Sequence, residues 1–410
     1  MRSGTNLLAL AGYNRAVILD VIRRSSEGIS RVEVAQRTGL SAQTASNVCR
    51  RLLDDGYICE TGTIISGVGK PRRILQLNPS GCFAVGIHLD PSVISVVLID
   101  LAGTVVVHRN IETPGDTTVE ENLDQIVATV ENIVIESKVN ESRISGIGFA
   151  APGPIETATG ALMNPPLLVN WDRMPIRDVL SSRLGRPVLL EKDVTAAAVA
   201  ETWTGKPGGS FLFFYYGTGV GIGIALQNEV VRGSSGNAGD AGGLVVGASE
   251  PSAAGRGRRR LGEATSPRDV VNRAIERGIL EAPGVALSNV AVRRLFSALA
   301  LLASEGHAGA VEMLDEIAVD IAEGLVSVIN VLDVERIVFG GPFWAPVSAM
   351  LLARIPHLVS RSQFLAVPHV ITFDEATAGE DVAATGAACL VLDDALAPDS
   401  AMLLLNHQPT

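Results

Sequence analysis

Apolar positions in the first eighty residues recur at helical spacing and then change to strand-like runs. Asn14 to Arg23 predicts a helix whose buried side carries Ala16, Val17, Leu19 and Ile22. Ser30-Arg31-Val32-Glu33 has the form of a capping box and opens a short helix through Arg37. Gly39-Leu40-Ser41 is a tight turn, with Gly39 placed to end that helix in a left-handed conformation. Ser41 then caps a second helix, from Ala42 to about Asp54. Its apolar positions Ala45, Val48, Cys49 and Leu52 follow i, i+3, i+4, i+7. After Gly56 come a strand at Tyr57–Glu60, a glycine-rich turn, the basic run Lys70-Pro71-Arg72-Arg73 and a strand at Ile74–Leu77. Asn78-Pro79-Ser80-Gly81 is turn chemistry and marks a boundary.

The second helix turns Gln43, Ser46, Asn47 and Arg50 away from its apolar side. Such side chains hydrogen-bond base edges, and a helix fits the major groove. Two short helices joined by a tight turn, followed by a basic hairpin, have helix-turn-helix spacing with a wing. The candidate DNA-binding residues are Arg31, Ser41, Gln43, Thr44, Asn47, Arg50 and Arg51 on the helices and Lys70, Arg72 and Arg73 on the wing. Charge agrees with this assignment. Residues 1–80 hold eleven Lys+Arg and six Asp+Glu, whereas the whole chain carries −11. A basic block on an acidic body directs any polyanion to the block.

Beyond residue 81 the pattern becomes mixed. Strands are predicted at Phe83–Leu89, Ile94–Leu101, Thr104–Arg109 and Ile144–Ala150, with a helix at Val119–Ser137. A helix at Asp178–Leu184, a strand at Val188–Leu190 and a helix at Val194–Thr204 follow. The three-strand pattern then restarts at Ser210–Tyr216, Val220–Leu226 and Glu229–Arg232. Helices around Pro267–Arg277, Val292–Ser304 and Ala308–Leu332, strands at Arg336–Phe339 and His369–Phe373, and a last helix at Asp381–Leu392 complete it. Three strands and then mixed α/β, occurring twice, predict two similar lobes around a cleft, where such sheets place ligands. Ala151-Pro152-Gly153-Pro154 and Gly217-Thr218-Gly219-Val220-Gly221 are turns where backbone can approach a ligand; a hairpin also wants glycines at the second.

Residues 84–394 resemble the ROK family of repressors, open reading frames and sugar kinases. The matching segments are Gly146–Pro154, Glu191-Lys192-Asp193 with Ala196-Ala197-Ala198 and Glu201, Gly217–Gly223, Ala238-Gly239-Asp240, Gly340-Gly341 and Gly386-Ala387-Ala388. The first eighty residues resemble the winged helix of the family's repressor branch. The resemblance implies an α/β chain: a winged helix-turn-helix over 1–80, then a two-lobed actin/hexokinase-like body. One lobe would take 81–190 plus 380–396, the other 191–379 with oligomerisation elements. Along the cleft it implies Pro152, Gly153, Asn170, Lys192, Asp193, Gly217, Thr218, Asp240 and Gly243 as ligand residues.

The departures from the family bear on chemistry. Its kinases carry Asp-x-Gly-Gly-Thr after the first strand; aligned through Asp100, this chain has His88-Leu89-Asp90-Pro91-Ser92. An added carboxylate and a proline ring would repel and obstruct phosphate. Asp193 stands at the family's catalytic-base position, where it can still accept a hydroxyl hydrogen bond without catalysis. The family's preceding Asn is Lys192, which allows an acidic sugar derivative or a lysine paired with Asp193 or Glu191. The His of the family's Glu-x-x-His is Gly243, and residues 253–260 hold no Cys, so no zinc is expected. Arg256–Arg260 is then a solvated loop or a second anion or DNA contact. Trp171 is expected to pack beside the cleft, and Glu201 to fix the lobe.

Composition limits the remainder. At 47% apolar and 19% charged the chain can bury a large core. No apolar run is long enough for a membrane helix. Four scattered cysteines, Cys49, Cys59, Cys82 and Cys389, argue for a reducing cytoplasm. The expectation is a cytoplasmic transcriptional regulator, a repressor by resemblance. It would bind a pseudo-palindromic operator as a homodimer or tetramer and sense a sugar or sugar derivative, without catalysis, metal, cofactor or membrane. Two alternatives stay open: a sugar kinase with a DNA-binding tail, and a non-sensing body that only oligomerises or binds a protein partner.

Overall fold

The computed structural model describes residues 7–64, 72–112, 118–206, 209–247 and 257–396. Helix α1 (Leu7–Arg23) starts well before Asn14, because Leu7-Leu8-Ala9-Leu10-Ala11 are strong helix formers that the amphipathic spacing does not register. Strand β1 (Ile29–Ser30) was not anticipated. Helix α2 (Arg31–Thr38) opens on the expected box: the Ser30 amide donates to Glu33 at 3.0 Å, and the Glu33 amide donates to Ser30 Oγ at 3.4 Å. Gly39, at φ 69°, ends it. Helix α3 (Ala42–Asp54) is capped by Ser41, whose Oγ accepts from the Thr44 amide at 3.1 Å. Strands β2 (Ile58–Ile64) and β3 (Arg72–Leu77) form the wing hairpin, and β1 joins it in the order β1-β3-β2. The wing tip, with Lys70 and Pro71, lies outside the described residues.

The first lobe is built from β4 (Phe83–Asp90), β5 (Val93–Asp100), β6 (Val105–Glu112), α4 (Val119–Ser137) and β7 (Ile144–Ala151). The short pair β8 (Ile155–Glu156) and β9 (Ala161–Leu162), α5 (Ile176–Leu184) and β10 (Val188–Lys192) complete it. Its five strands run in the order β10-β7-β4-β5-β6. Helix α6 (Asp193–Thr204) leads to β11 (Phe211–Tyr216), β12 (Val220–Leu226), β13 (Glu229–Val230), β14 (Val245–Val246) and β15 (Arg259–Arg260). After them come α7 (Leu261–Thr265), α8 (Pro267–Glu276), α9 (Asn289–Ser304), α10 (Ala308–Leu332), β16 (Arg336–Gly340), α11 (Ser348–Ser360), β17 (Thr372–Glu375) and α12 (Val382–Leu396). The second sheet runs β13-β12-β11-β16-β17. Helix α11 was missed. It buries Leu351, Ile355 and Val359 at i, i+4, i+8, but Pro356 inside it reads as a breaker.

Helices α12 and α6 lie between the two sheets, and small residues set how close they come. A Cβ on Gly148 of the first sheet would stand 1.8 Å from Ala387 O of α12. A Cβ on Gly386 would stand 1.7 Å from Ala196 O of α6, so backbone meets backbone where the helices cross. Leu19 and Ile22 of α1 share an apolar cluster with Cys389 and Leu392 of α12. Arg24 Nη2 donates to Thr202 O of α6 at 3.1 Å, and Arg143 Nη1 donates to Asp55 O and Gly81 O, each at 3.0 Å. The winged helix is therefore seated on the body, not tethered beside it.

Candidate functional site

Two places gather the expected residues. The first is the outward side of α3. Burial of Ala45, Cys49 and Leu52 against the winged-helix core leaves Gln43, Asn47, Arg50 and Arg51 exposed. Gln43 Nε2 donates to Asn47 Oδ1 at 3.3 Å, and Arg50 Nη2 donates to the same oxygen at 3.1 Å. These three form one polar row whose ties lie within the row. Ser41 and Thr44 share a 2.9 Å hydroxyl hydrogen bond at the start of the helix. Arg31 and Arg73 stand differently: both pair with Glu60 of β2, Arg31 at 2.9 Å. The two cations hold Glu60 below the usual carboxylate range, Arg73 foremost. No local pattern marks this acid as one that would neutralise part of the basic set. Arg72 lies in β3, and Lys70 is outside the described residues.

The second place is the cleft. Asp193 opens α6 with its carboxylate buried, and its Oδ1 accepts from the Val194 amide at 2.7 Å. Burial pushes its pKa up to about 7; the nearby Lys192 ammonium opposes this and the Asp90 charge adds to it. Lys192 pairs with neither expected acid. Its Nζ donates to Asn237 O and Ala238 O, each at 3.3 Å, while Glu191 pairs with Arg232 at 2.7 Å. Gly153 fits against this lysine, since a Cβ there would stand 3.0 Å from Lys192 Cε.

The turn between β4 and β5 reaches across to the second lobe. Asp90 Oδ2 accepts from Thr218 Oγ1 at 2.7 Å, and Asp90 Oδ1 accepts from the Ser92 amide at 2.8 Å. Asn289 Nδ2 donates to Pro91 O at 2.9 Å. His88 Nε2 shares a 3.2 Å hydrogen bond with Tyr215 OH; burial lowers its pKa to about 4, so the ring is neutral near pH 7. Asp90 thus ties the glycine turn Gly217–Gly221 to the first lobe.

Asn237 was missed. Its Oδ1 accepts from the Ile155 amide at 2.7 Å and its Nδ2 donates to Ile155 O at 2.9 Å, which links the segment after β13 to β8. It sits in a Gly-Ser-Ser-Gly-Asn turn that reads as an ordinary loop, so no sequence signal marks it. Asp240 and Gly243 flank the short turn after that segment and are exposed. Asn170 is also exposed, whereas Trp171 is buried in the first-lobe core beside Leu162 and Leu168. Glu201 is buried and pairs with Arg336 of β16 at 2.9 Å, a lobe-fixing contact. In the arginine-rich loop, Arg259 is ion-paired with Asp320 of α10. Among the described residues no helix is long and apolar enough to cross a membrane.

Comparison with known proteins covers both parts of the chain. The ROK family matches residues 84–394, and a winged helix-turn-helix DNA-binding family matches residues 17–58. A putative xylose repressor of Caldicellulosiruptor sp. (strain Rt8B.4) is 29% identical over 235 residues, 57% of this chain and 58% of that one. The chain therefore spans little more than half the length of that relative. The xylose repressor of Caldicellulosiruptor bescii is 23% identical over 95% of this chain and 98% of its own. A solved ROK family transcriptional regulator, a homolog of the E. coli MLC protein, superposes with a TM-score of 0.72 at 19% identity, covering 97% of this chain and 98% of that one. With the family spanning the whole two-lobed body and a DNA-binding winged helix seated on its inter-lobe helices, the chain belongs to the ROK family.

Proposed function

We propose that this chain is a transcriptional repressor that reads a pseudo-palindromic operator with two copies of its winged helix. A sugar or sugar derivative bound between the lobes would change operator affinity. The observation that carries the proposal is the exposed row Gln43–Asn47–Arg50 on α3, whose hydrogen bonds stay within the row. Those donors and acceptors can be exchanged for base edges at little cost. The relatives named for xylose repression support the same reading.

The body binds but does not phosphorylate. Asp90 sets a carboxylate against the Thr218 hydroxyl at the glycine turn, where a nucleotide phosphate would need donors and open space. Asp193 accepts a hydroxyl of the effector. The Lys192 ammonium is engaged by two carbonyl groups, and Asp90, Asp193 and Asp240 leave the cleft acidic, so a neutral hydroxylated effector fits better than an acidic one. For an effector to act, its affinity must differ between the operator-bound and released states. The working form is a cytoplasmic dimer or tetramer. Titration of the chain onto labelled DNA from its own upstream region, with and without a pool of neutral sugars, tests this: salt-sensitive binding relieved by the pool is expected, and binding that no sugar alters removes the sensing half.

One observation favours a second reading. A buried carboxyl with a pKa of about 7 is poised as a general base, so Asp193 would suit a sugar kinase with a DNA-binding segment. ADP release on a sugar panel, lost in Asp193→Asn, would establish that reading in place of the first.

A further inference from the structure

A cavity of about 770 Å³ lies where the winged helix meets the body. One wall is the end of α1 with Arg23, Arg24 and Ser26; the others bring Gln76 of β3, Thr104 from the turn between β5 and β6, and Trp203 at the end of α6. The volume falls within the roughly 300–1,000 Å³ of small-molecule sites. It is separate from the cleft. Asp193 and Trp203 stand at opposite ends of α6, about 15 Å apart along the helix axis at ~1.5 Å per residue.

The lining is one-sided in charge. Among the described residues that line it are two arginines and no aspartate or glutamate, in a chain of net charge −11. Asp20, which pairs with both Arg23 and Arg24, is not part of the lining. The Arg23 guanidinium lies 4.4 Å from the Trp203 ring centroid, and burial draws its pKa below the usual value. Trp203 Nε1 is buried and has no hydrogen-bond partner among the described residues. That N–H is covered by the packing around the indole and does not open onto the cavity. Arginine only donates, so the group that answers these two guanidinium groups is an acceptor, and an anionic one answers the charge as well.

We infer that this joint cavity is a second ligand site, distinct from the effector cleft, and that it takes a small organic anion bearing a carboxylate or phosphate group. A molecule held there touches α1 and the body together and stabilises their docked arrangement. The site stands whether or not the cleft senses a sugar.

Isothermal titration of the full chain with citrate, glucose 6-phosphate and glucose, at constant ionic strength, tests the inference. Saturable millimolar or tighter binding of at least one anion, and none of glucose at this site, is expected; citrate and glucose 6-phosphate separate carboxylate from phosphate recognition. Arg24→Gln should weaken the anion at least tenfold. Gln76→Glu, which places a carboxylate in the cavity wall and leaves the pairs of Asp20 with Arg23 and Arg24 in place, should abolish its binding. Asp193→Asn should leave this titration as it is, which separates the joint from the cleft. No saturable binding of either anion overturns the inference, as does binding that survives both Arg24→Gln and Gln76→Glu.

Discussion

The outward side of α3 and the inter-lobe cleft are both polar, but they are built in opposite ways. On α3 the polar residues are exposed and hydrogen-bonded only to one another, so a partner can replace those bonds. In the cleft they are buried or half-buried and spoken for: Asp90 by Thr218 and Ser92, Lys192 by two carbonyls, Asn237 by Ile155. The first surface gains by contact with something outside. Under the proposed function the second must trade internal bonds for ligand bonds, and a ligand that did so would shift how the lobes sit. That division of labour is what a reading head and a sensor require.

The largest expected effect comes from breaking the support behind the cleft. Arg336→Ala leaves Glu201 buried without its partner, and removing one member of a buried pair costs about 3–5 kcal/mol. Burial already raises the Glu201 pKa, so the variant can neutralise the acid at lower pH. Thermal melts should therefore show a larger loss at pH 8 than at pH 5; an equal loss at both would mean that the charge is not the cause.

Next comes the proposed effector site. Asp193→Asn removes a charge-assisted hydrogen bond worth about 1.5–3 kcal/mol, so effector affinity should fall about tenfold or more. The sign with pH follows from a folded pKa of about 7, above the ordinary carboxylate value. The protonated form is favoured in the fold, so stability from this group is lost as pH rises through about 7. The ionised acceptor becomes available over the same range. Effector binding should therefore tighten about tenfold from pH 6 to pH 8, and Asp193→Asn should flatten the profile. A profile unchanged in the variant would remove Asp193 from the site.

On the reading side, Arg50→Ala should weaken operator binding by about 1–3 kcal/mol and relax sequence preference. Melting of the body should not change. Equal loss on operator and random DNA would recast Arg50 as a phosphate contact. The smallest effect belongs to the scaffold under that surface: Ser30→Ala should cost about 1 kcal/mol of winged-helix stability by removing the cap of α2. Hydrogen exchange confined to α2 and its neighbours would register it.

The two regions also differed in how far the sequence revealed them. Caps, turn and reading row of the winged helix follow from local spacing, because residues 30–54 form the motif alone. The cleft joins Asp90, Gly153, Asp193, Thr218 and Asn237 from separate elements. No periodicity brings those together, and only the family resemblance placed most of them. Asn237 escaped both routes because its work is done by a side chain imitating backbone pairing. Glu60 escaped because its cross-strand neighbours are set by the β2/β3 register, which shifts between Glu60 and Gly62. Lys192 was identified as the departure from the family, but its partners are carbonyls, which carry no signature in sequence.

The most direct test of the central claim is fluorescence anisotropy of the chain on labelled upstream DNA at two salt concentrations, with and without a pool of neutral sugars, for the parent and for Asp193→Asn. The account predicts tight, salt-sensitive binding by both proteins, relieved by the pool in the parent and not in the variant. Relief that persists in Asp193→Asn, or operator binding that no sugar alters, would contradict it.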